Sequence, residues 1–244
     1  MSSQGRALSP SPLSPPQPAL FTPVPKCTPV SGMSDLLPIS VTPILSRMVE
    51  RLIVKDHIFP AITPAKLYDQ FGFKPTDSTT AALVDITNTI SIMLETNKYV
   101  RCLLIDFSKA FDSVDHLIVI NKLNALNIVD NIIHWVVSFL TDRNKFVKVG
   151  ERWSFTKTIN RSIVQTLFSI SIIDLQPIGS SNRITKYADD CSLMVPEKCD
   201  VDMLDEFQHV LNWTFANKLT INMCKTKELV FHRSNARNYL ILQS

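Results

Sequence analysis

Two short apolar runs with a pair of carboxylates between them constrain the fold of this 244-residue chain more than any other feature. The runs are Ile184 to Tyr187 and Cys191 to Val195, and each has the length and residue types of a buried strand. Between them lies Ala188-Asp189-Asp190, although tight turns favour Asn-Gly or Asp-Gly. A hairpin tip whose residues do not suit a tight turn is typical of a functional site. The sequence therefore predicts an antiparallel hairpin with two carboxylates at its tip.

A third carboxylate ends a strand earlier in the chain. The apolar run from Val100 to Ile105 stops abruptly at Asp106. Residues far apart in sequence can converge in space, and a cluster of three carboxylates suits two Mg²⁺ ions, which prefer oxygen ligands and clamp the oxygens of a nucleotidyl transfer. The alternative for Asp106 alone is an ordinary strand-end aspartate with no further role.

Helical and strand patterns alternate along the rest of the chain. Apolar residues at helical spacing predict helices within 83–94, 117–126, 132–140 and 201–215, with Ser78 and Asp130 as candidate N-caps. Further short strands are predicted at 145–149, 219–221 and 228–231. The pattern favours an α+β protein.

Composition narrows the class of protein. Hydrophobic residues make up 45% of the chain, enough for a core, and the net charge of +3 is too weak to indicate nucleic-acid binding by itself. The five cysteines include no C-x-x-C pair, so neither a disulfide framework nor a zinc site is predicted. No apolar stretch reaches the roughly 18 residues of a membrane helix, and no signal core is present, so we expect an intracellular protein that is neither secreted nor in a membrane.

The N-terminus has a composition of its own. Many of the 15 prolines lie before residue 39, in a Ser/Pro-rich run that favours extended conformers and cannot pack a core. We predict a disordered arm over residues 1–30. A passive tail and a proline motif that recruits a partner domain are both open as its role.

Several motifs together resemble one family. Tyr187-Ala188-Asp189-Asp190 is similar to the Tyr-x-Asp-Asp box of reverse transcriptases, and the nine residues from Leu104 to Asp112 resemble the first catalytic motif of jockey-like non-LTR retrotransposon polymerases. Three further blocks resemble the family in the same order: Leu37 to Ser40, Gln70 to Pro75 with Ser78 to Thr80, and Asn222 to Lys227. The resemblance covers about residues 22 to 235.

The resemblance implies a right-hand polymerase palm, an antiparallel sheet backed by helices, with partial fingers and no complete thumb. Fingers would occupy about residues 31–99, the palm about 100–235, and a tail 236–244. The implied function is RNA-directed DNA polymerase, with an RNA template, a DNA primer and deoxynucleoside triphosphates as partners. Asp106, Asp189 and Asp190 would then bind Mg²⁺ or Mn²⁺.

Position within the family motifs assigns further roles. Phe111 would be the steric gate against a 2′-OH, or alternatively an ordinary core phenylalanine. Lys225 would protonate or neutralise the leaving pyrophosphate, or alternatively be a solvated surface lysine. Tyr187 and Gln165 would contact the nucleotide or template.

The chain departs from the family pattern around Gln165. Val164-Gln165 runs straight into Thr166-Leu167-Phe168, where relatives have a Gly-rich turn of about six more residues, and no glycine lies between Gly150 and Gly179. Leu37 also stands where the family usually has an arginine that can bind phosphate. These departures favour an alternative hypothesis, an inactive remnant that at most binds nucleic acid.

Overall fold

The computed structural model describes residues 19–32, 35–41, 44–73, 78–126, 128–141, 143–149, 151–155, 157–159 and 165–233. The strands in these ranges are β1 (Ala19–Pro25), β2 (Leu36–Val41), β3 (Tyr99–Ile105), β4 (Arg143–Val149), β5 (Arg152–Trp153), β6 (Lys157–Ile159), β7 (Arg183–Tyr187), β8 (Asp190–Pro196) and β9 (Lys227–His232). The helices are α1 (Ile44–Ile53), α2 (Phe59–Ala61), α3 (Thr79–Thr96), α4 (Ala110–Ser113), α5 (His116–Asn124), α6 (Asp130–Leu140), α7 (Gln165–Ser171) and α8 (Met203–Ala216).

The chain divides into two compact units. One comprises Met1–Glu50 with His134–Asn160, and the other comprises Arg51–Ile133 with Arg161–Ser244. Residues 51–99, which the resemblance places in the fingers, belong to the same unit as the strands that carry the predicted catalytic aspartates.

The first unit contains a sheet in the order β2-β1-β4-β5, with β6 also paired to β4. Strand β1 lies inside the span predicted to be a disordered arm, so the structured chain begins before residue 30; residues 1–18 lie outside the described residues. It pairs with β2 along Leu20 to Pro25 but with β4 only along Ala19 to Phe21. Pro23 and Pro25 thus lie beyond the β4 pairing, where a missing N–H disrupts no ladder on that side.

The second unit contains a four-stranded antiparallel sheet in the order β7-β8-β3-β9. Strand β3 is central, with Ile105 opposite Cys191 of β8 and Leu104 opposite Lys227 of β9. Its apolar sequence is typical of a strand with neighbours on both sides. The predicted antiparallel sheet with helices around it is confirmed.

Helix α3 packs against this sheet, and this packing is the reason that α3 belongs to the second unit. Ile90 of α3 forms a buried cluster with Val100 and Cys102 of β3 and Met194 of β8. The predicted cap is confirmed, since the Ser78 side chain accepts a hydrogen bond from the Ala81 N–H at 3.2 Å.

None of the helices among the described residues combines the length and apolar character needed to cross a membrane.

Two local predictions were wrong in detail. Helix α6 begins at Asp130 rather than after it, which leaves this carboxylate in the first turn, where the helix dipole favours negative charge. Residues 219–221 form only a single bridge, between Ile221 and Phe107, instead of a strand. Their partner is the short loop that follows β3, where the Ser108 N–H donates to the Thr220 carbonyl at 2.8 Å. Because this partner is a loop rather than a strand, no longer ladder forms.

Two isoleucines of α3 provide a test of the packing. Ile90 is 5% exposed and Ile92 is 56% exposed. Ile90→Ala removes buried methyl groups and should lower the free energy of unfolding by about 2–5 kcal/mol. Ile92→Ala, the matched control, should change it by no more than about 0.5 kcal/mol. Urea denaturation followed by circular dichroism measures both, and equal losses would contradict the packing of α3.

Candidate active site

The two carboxylates at the hairpin tip lie where β7 turns into β8. Tyr187 pairs with Asp190, so Ala188 and Asp189 form the turn. Ala188 has φ of 57°, a left-handed conformation that costs a residue with a Cβ about 1–2 kcal/mol. The predicted hairpin is confirmed, and its tip is held in a conformation that the sequence disfavours.

Gly72 packs directly on this turn. A Cβ at Gly72 would lie 2.2 Å from the Ala188 nitrogen and 3.0 Å from the Ala188 Cα. Contacts this short do not occur, so only glycine allows the two backbones to approach so closely. The segment around Gly72 therefore supports the strained tip from outside the sheet.

Asp106 follows the last residue of β3 and is fixed through its backbone. Its carbonyl accepts a hydrogen bond from Asn222 N–H at 2.8 Å, and its N–H donates to Thr226 Oγ1 at 3.4 Å. Lys225, which is 70% exposed, lies in the turn between these partners, with Nζ 3.8 Å from Asp106 Oδ2. The turn thus brings a cation to the end of β3.

The three predicted carboxylates converge closely enough to interact electrostatically. Partial desolvation raises the pKa of the Asp190 carboxyl above its usual range, and the charges of Asp189 and Asp106 raise this pKa further. Lys225 acts in the opposite direction and lowers it. The tip therefore carries negative charge that its own surroundings do not fully compensate.

Two observations bear on whether these residues fit a divalent cation. Asp106 Oδ2 is buried and has no hydrogen-bond partner among the described residues, and the electrostatics of Asp190 indicate uncompensated charge. An oxygen-only donor set of this charge suits Mg²⁺ or Mn²⁺. In the described ranges, however, no three His, Cys, Asp or Glu side chains are grouped so that they could already hold a metal ion. The donor set fits a metal in its chemistry, while the described side chains as they lie do not form a metal site.

Phe111 lies on α4, shortly after Asp106. Its ring centroid is 4.9 Å from that of Phe168 and 6.2 Å from that of Phe73, and its side chain is half-buried. Aromatic contacts at these separations restrict the ring. The structure thus gives Phe111 a fixed position with part of its surface open to solvent.

The remaining predicted contacts are less defined. The backbone of Gln165 lies in α7, directly before the point where the family's Gly-rich turn is missing, but its side chain lies outside the part of the chain that the structure describes. Tyr187 is half-buried at the end of β7, next to the tip.

A family model described as reverse transcriptase (RNA-dependent DNA polymerase) matches residues 24–243. The chain belongs to this reverse transcriptase family. An RNA-directed DNA polymerase from the mobile element jockey of Drosophila funebris is 27% identical over 212 residues, which cover 80% of this chain and 23% of that protein. A probable RNA-directed DNA polymerase from transposon BS of Drosophila melanogaster is 27% identical over 177 residues, 66% of this chain and 19% of that protein.

The chain spans about a fifth to a quarter of the length of these curated relatives. Its fold is similar to that of telomerase from Candida tropicalis in complex with a fragment of telomeric RNA, with a TM-score of 0.61 at 11% identity over 94% of this chain and 43% of that one. The α+β polymerase palm predicted for this reverse transcriptase is therefore the fold that it has, and the jockey-like relationship is confirmed.

Sequence reasoning did not single out the residues that support the tip from behind. Gly72 was noted only as part of a family block, and Lys186 only as part of a strand. Two signals were available: a lysine directly before the Tyr-x-Asp-Asp box, and a glycine in a chain that has only five. Neither signal identifies the partner residue, Asp69 for Lys186 and Ala188 for Gly72, which in both cases lies over a hundred residues away in sequence.

The close approach of Gly72 leads to a stability prediction. Gly72→Ala places a methyl group on backbone atoms that cannot rotate away, so it should lower the free energy of unfolding by about 1–3 kcal/mol. Because the clash is with the Ala188 nitrogen rather than its methyl group, Gly72→Ala should cause the same loss when it is introduced into the Ala188→Gly protein, whose own stability rises as the left-handed strain is relieved. Urea denaturation of the single and double variants measures this, and a Gly72→Ala protein as stable as the parent would refute the packing.

Proposed function

We propose that this chain is the polymerase domain of an RNA-directed DNA polymerase of a jockey-like retrotransposon, adding deoxynucleotides to a DNA primer on an RNA template. The observation that carries the proposal is the convergence of Asp106 with Asp189 and Asp190 at one end of the sheet, supported by the cation of Lys225 beside them. Polymerase activity of its relatives agrees with this assignment.

Each group at the site has a role in this proposal. Asp106, Asp189 and Asp190 would hold Mg²⁺ or Mn²⁺, which when bound stabilises negative charge on the attacking and leaving oxygens. The flexible ammonium of Lys225 neutralises or protonates the pyrophosphate as it leaves. Phe111 excludes a ribose 2′-OH, and Tyr187 and Gln165 contact the nucleotide or the template strand.

The cellular setting is part of the same proposal. All five cysteines fall within the described residues, and none of them is in a disulfide. Free thiols are typical of proteins kept in a reducing compartment, so we infer that the chain works inside the cell, where template RNA is present.

One observation favours a second candidate function, an inactive remnant that binds a primer and template without extending them. Gln165 is followed directly by Thr166 in the sequence, and no glycine is available between Gly150 and Gly179 to bring the backbone close to a nucleotide. Binding of this kind depends on phosphate contacts, so it falls with salt concentration and is insensitive to substitutions of the carboxylates.

Primer extension separates the two candidates. On poly(rA) with an oligo(dT) primer and Mg²⁺ or Mn²⁺, the parent chain should extend the primer, and Asp189→Asn with Asp190→Asn should reduce the rate at least about a hundredfold, because two oxygen donors of the ions lose their charge. Asp205→Asn, at an exposed position on α8, is the control and should extend normally. Salt-sensitive binding by a parent chain that extends no primer would instead establish the remnant.

The steric role of Phe111 predicts a change in sugar selectivity. Phe111→Ala should lower the preference for deoxynucleotides over ribonucleotides by about 10–200-fold, the range in which shape exclusion discriminates. Competition between dTTP and UTP in the same extension assay measures the preference. Phe107→Leu alters another ring beside Phe168 and should leave it unchanged. If both variants keep the parent's selectivity, Phe111 is a packing residue only.

A further inference from the structure

A buried ion pair lies behind the hairpin tip. Lys186 Nζ is 2.9 Å from Asp69 Oδ2, and both side chains are only 1% exposed. Lys186 Nζ also donates to the Ile172 carbonyl at 3.1 Å, and the Gln176 amide donates to Asp69 Oδ2 at 2.7 Å. Burying two charges is costly even when they are paired, and apolar residues of the same size often stabilise a protein as well. A buried pair is therefore better explained by what it positions than by stability.

Backbone hydrogen bonds join the same two segments. Lys186 N–H donates to the Asp69 carbonyl at 2.7 Å, and Phe71 N–H donates to the Lys186 carbonyl at 2.8 Å. In the described sheet β7 is an outer strand, and these bonds form a parallel bridge, Gln70 with Lys186, along its outer edge. The side-chain ion pair thus locks the register of a short stretch of pairing that has only two backbone bonds.

This pairing leads directly to the strained turn. Gly72 comes three residues after Asp69 and packs on Ala188, which comes two residues after Lys186. The Gly72 N–H is held by Gln70 Oε1 at 2.9 Å, in a buried position. Asp69 to Gly72 and Lys186 to Ala188 therefore form one continuous support, with the ion pair at one end and the carboxylate tip at the other.

We propose that the Asp69–Lys186 pair is a positioning element for the carboxylate tip. It fixes the register of the Asp69 to Gly72 segment on β7, and this segment holds Ala188 in its left-handed conformation, which orients Asp189 and Asp190. The catalytic meaning of this orientation rests on the proposed polymerase function. Lys186 and Asp69 act through the turn, so they are positioning residues rather than catalytic ones.

The test removes both charges together, because removing one would leave the other buried without its partner. The variant is Asp69→Asn with Lys186→Met. The control is Arg101→Met with Glu228→Gln, which removes a largely buried ion pair, 15% and 10% exposed, from the same sheet. Arg101 lies five residues before Asp106, roughly 17 Å along the strand from the tip.

The first readout is amide hydrogen exchange of peptides within residues 183–196, measured together with the melting temperature. With the melting temperature within a few degrees of the parent, the Asp69/Lys186 variant should exchange the amides of the tip at least tenfold faster, and the control less than twofold faster. Parent-like exchange at the tip in the folded double variant would overturn the proposal. If the double variant unfolds, Asp69→Glu, which keeps both charges but lengthens the acidic side chain by one methylene, is judged by the same readout.

The second readout connects the tip to catalysis. In primer extension, the Asp69/Lys186 variant should need at least fivefold more Mg²⁺ for half-maximal rate and show a lower kcat, with KM for primer and template changed less than twofold. A purely structural pair would instead give parent-like Mg²⁺ dependence in the folded variant. If the parent extends no primer, the polymerase function fails, and hydrogen exchange still decides whether the pair positions the tip.

Discussion

The antiparallel pairing of β3 with β8 determines where every candidate catalytic group lies. With Ile105 opposite Cys191, Asp106 emerges beside the hairpin tip formed by Ala188 and Asp189. On the other side of β3, the register with β9 brings the turn that carries Lys225 to the same end. A slip of one residue would turn the side chains of a strand to the opposite face and separate these groups, so the buried side chains of β3 and β8 fix the site.

Scarcity of glycine shapes the surroundings of the site. Four non-glycine residues among those described have left-handed backbone: Phe73, Lys109, Ala188 and Lys218. The first three lie beside the tip, just after Asp106, or in the turn itself. Each such residue costs about 1–3 kcal/mol, which the surrounding packing must offset. Strained backbone held by close packing is the pattern expected where side chains must be oriented, and it accounts for the role of Gly72.

The sequence alone was sufficient to predict the helices and strands whose apolar periodicity or capping residues indicate their secondary structure. The run ending at Asp106, the helix capped by Ser78 and the hairpin around Ala188 all carry local periodicity or punctuation, and each was predicted near its observed place. What a sequence cannot express is the partner of a buried group. Lys186 gives no sign that its partner is Asp69, because that pairing depends on the fold. The membership of α3 in the second unit could not be predicted for the same reason, since it depends on packing against β3 and β8.

The attachment of the Asn222–Thr226 turn to Asp106 uses main-chain atoms of the turn except at Thr226, whose Oγ1 accepts from the Asp106 N–H. The Asp106 carbonyl receives the Asn222 N–H, and within the turn the Lys225 and Thr226 N–H groups both donate to the Asn222 carbonyl. Such bonds are independent of the side chains at positions 222 to 224, of which Met223 and Cys224 are exposed. Evolution can therefore exchange these side chains freely while the ammonium stays at the end of β3, and drift in this turn is no sign that the site has been abandoned.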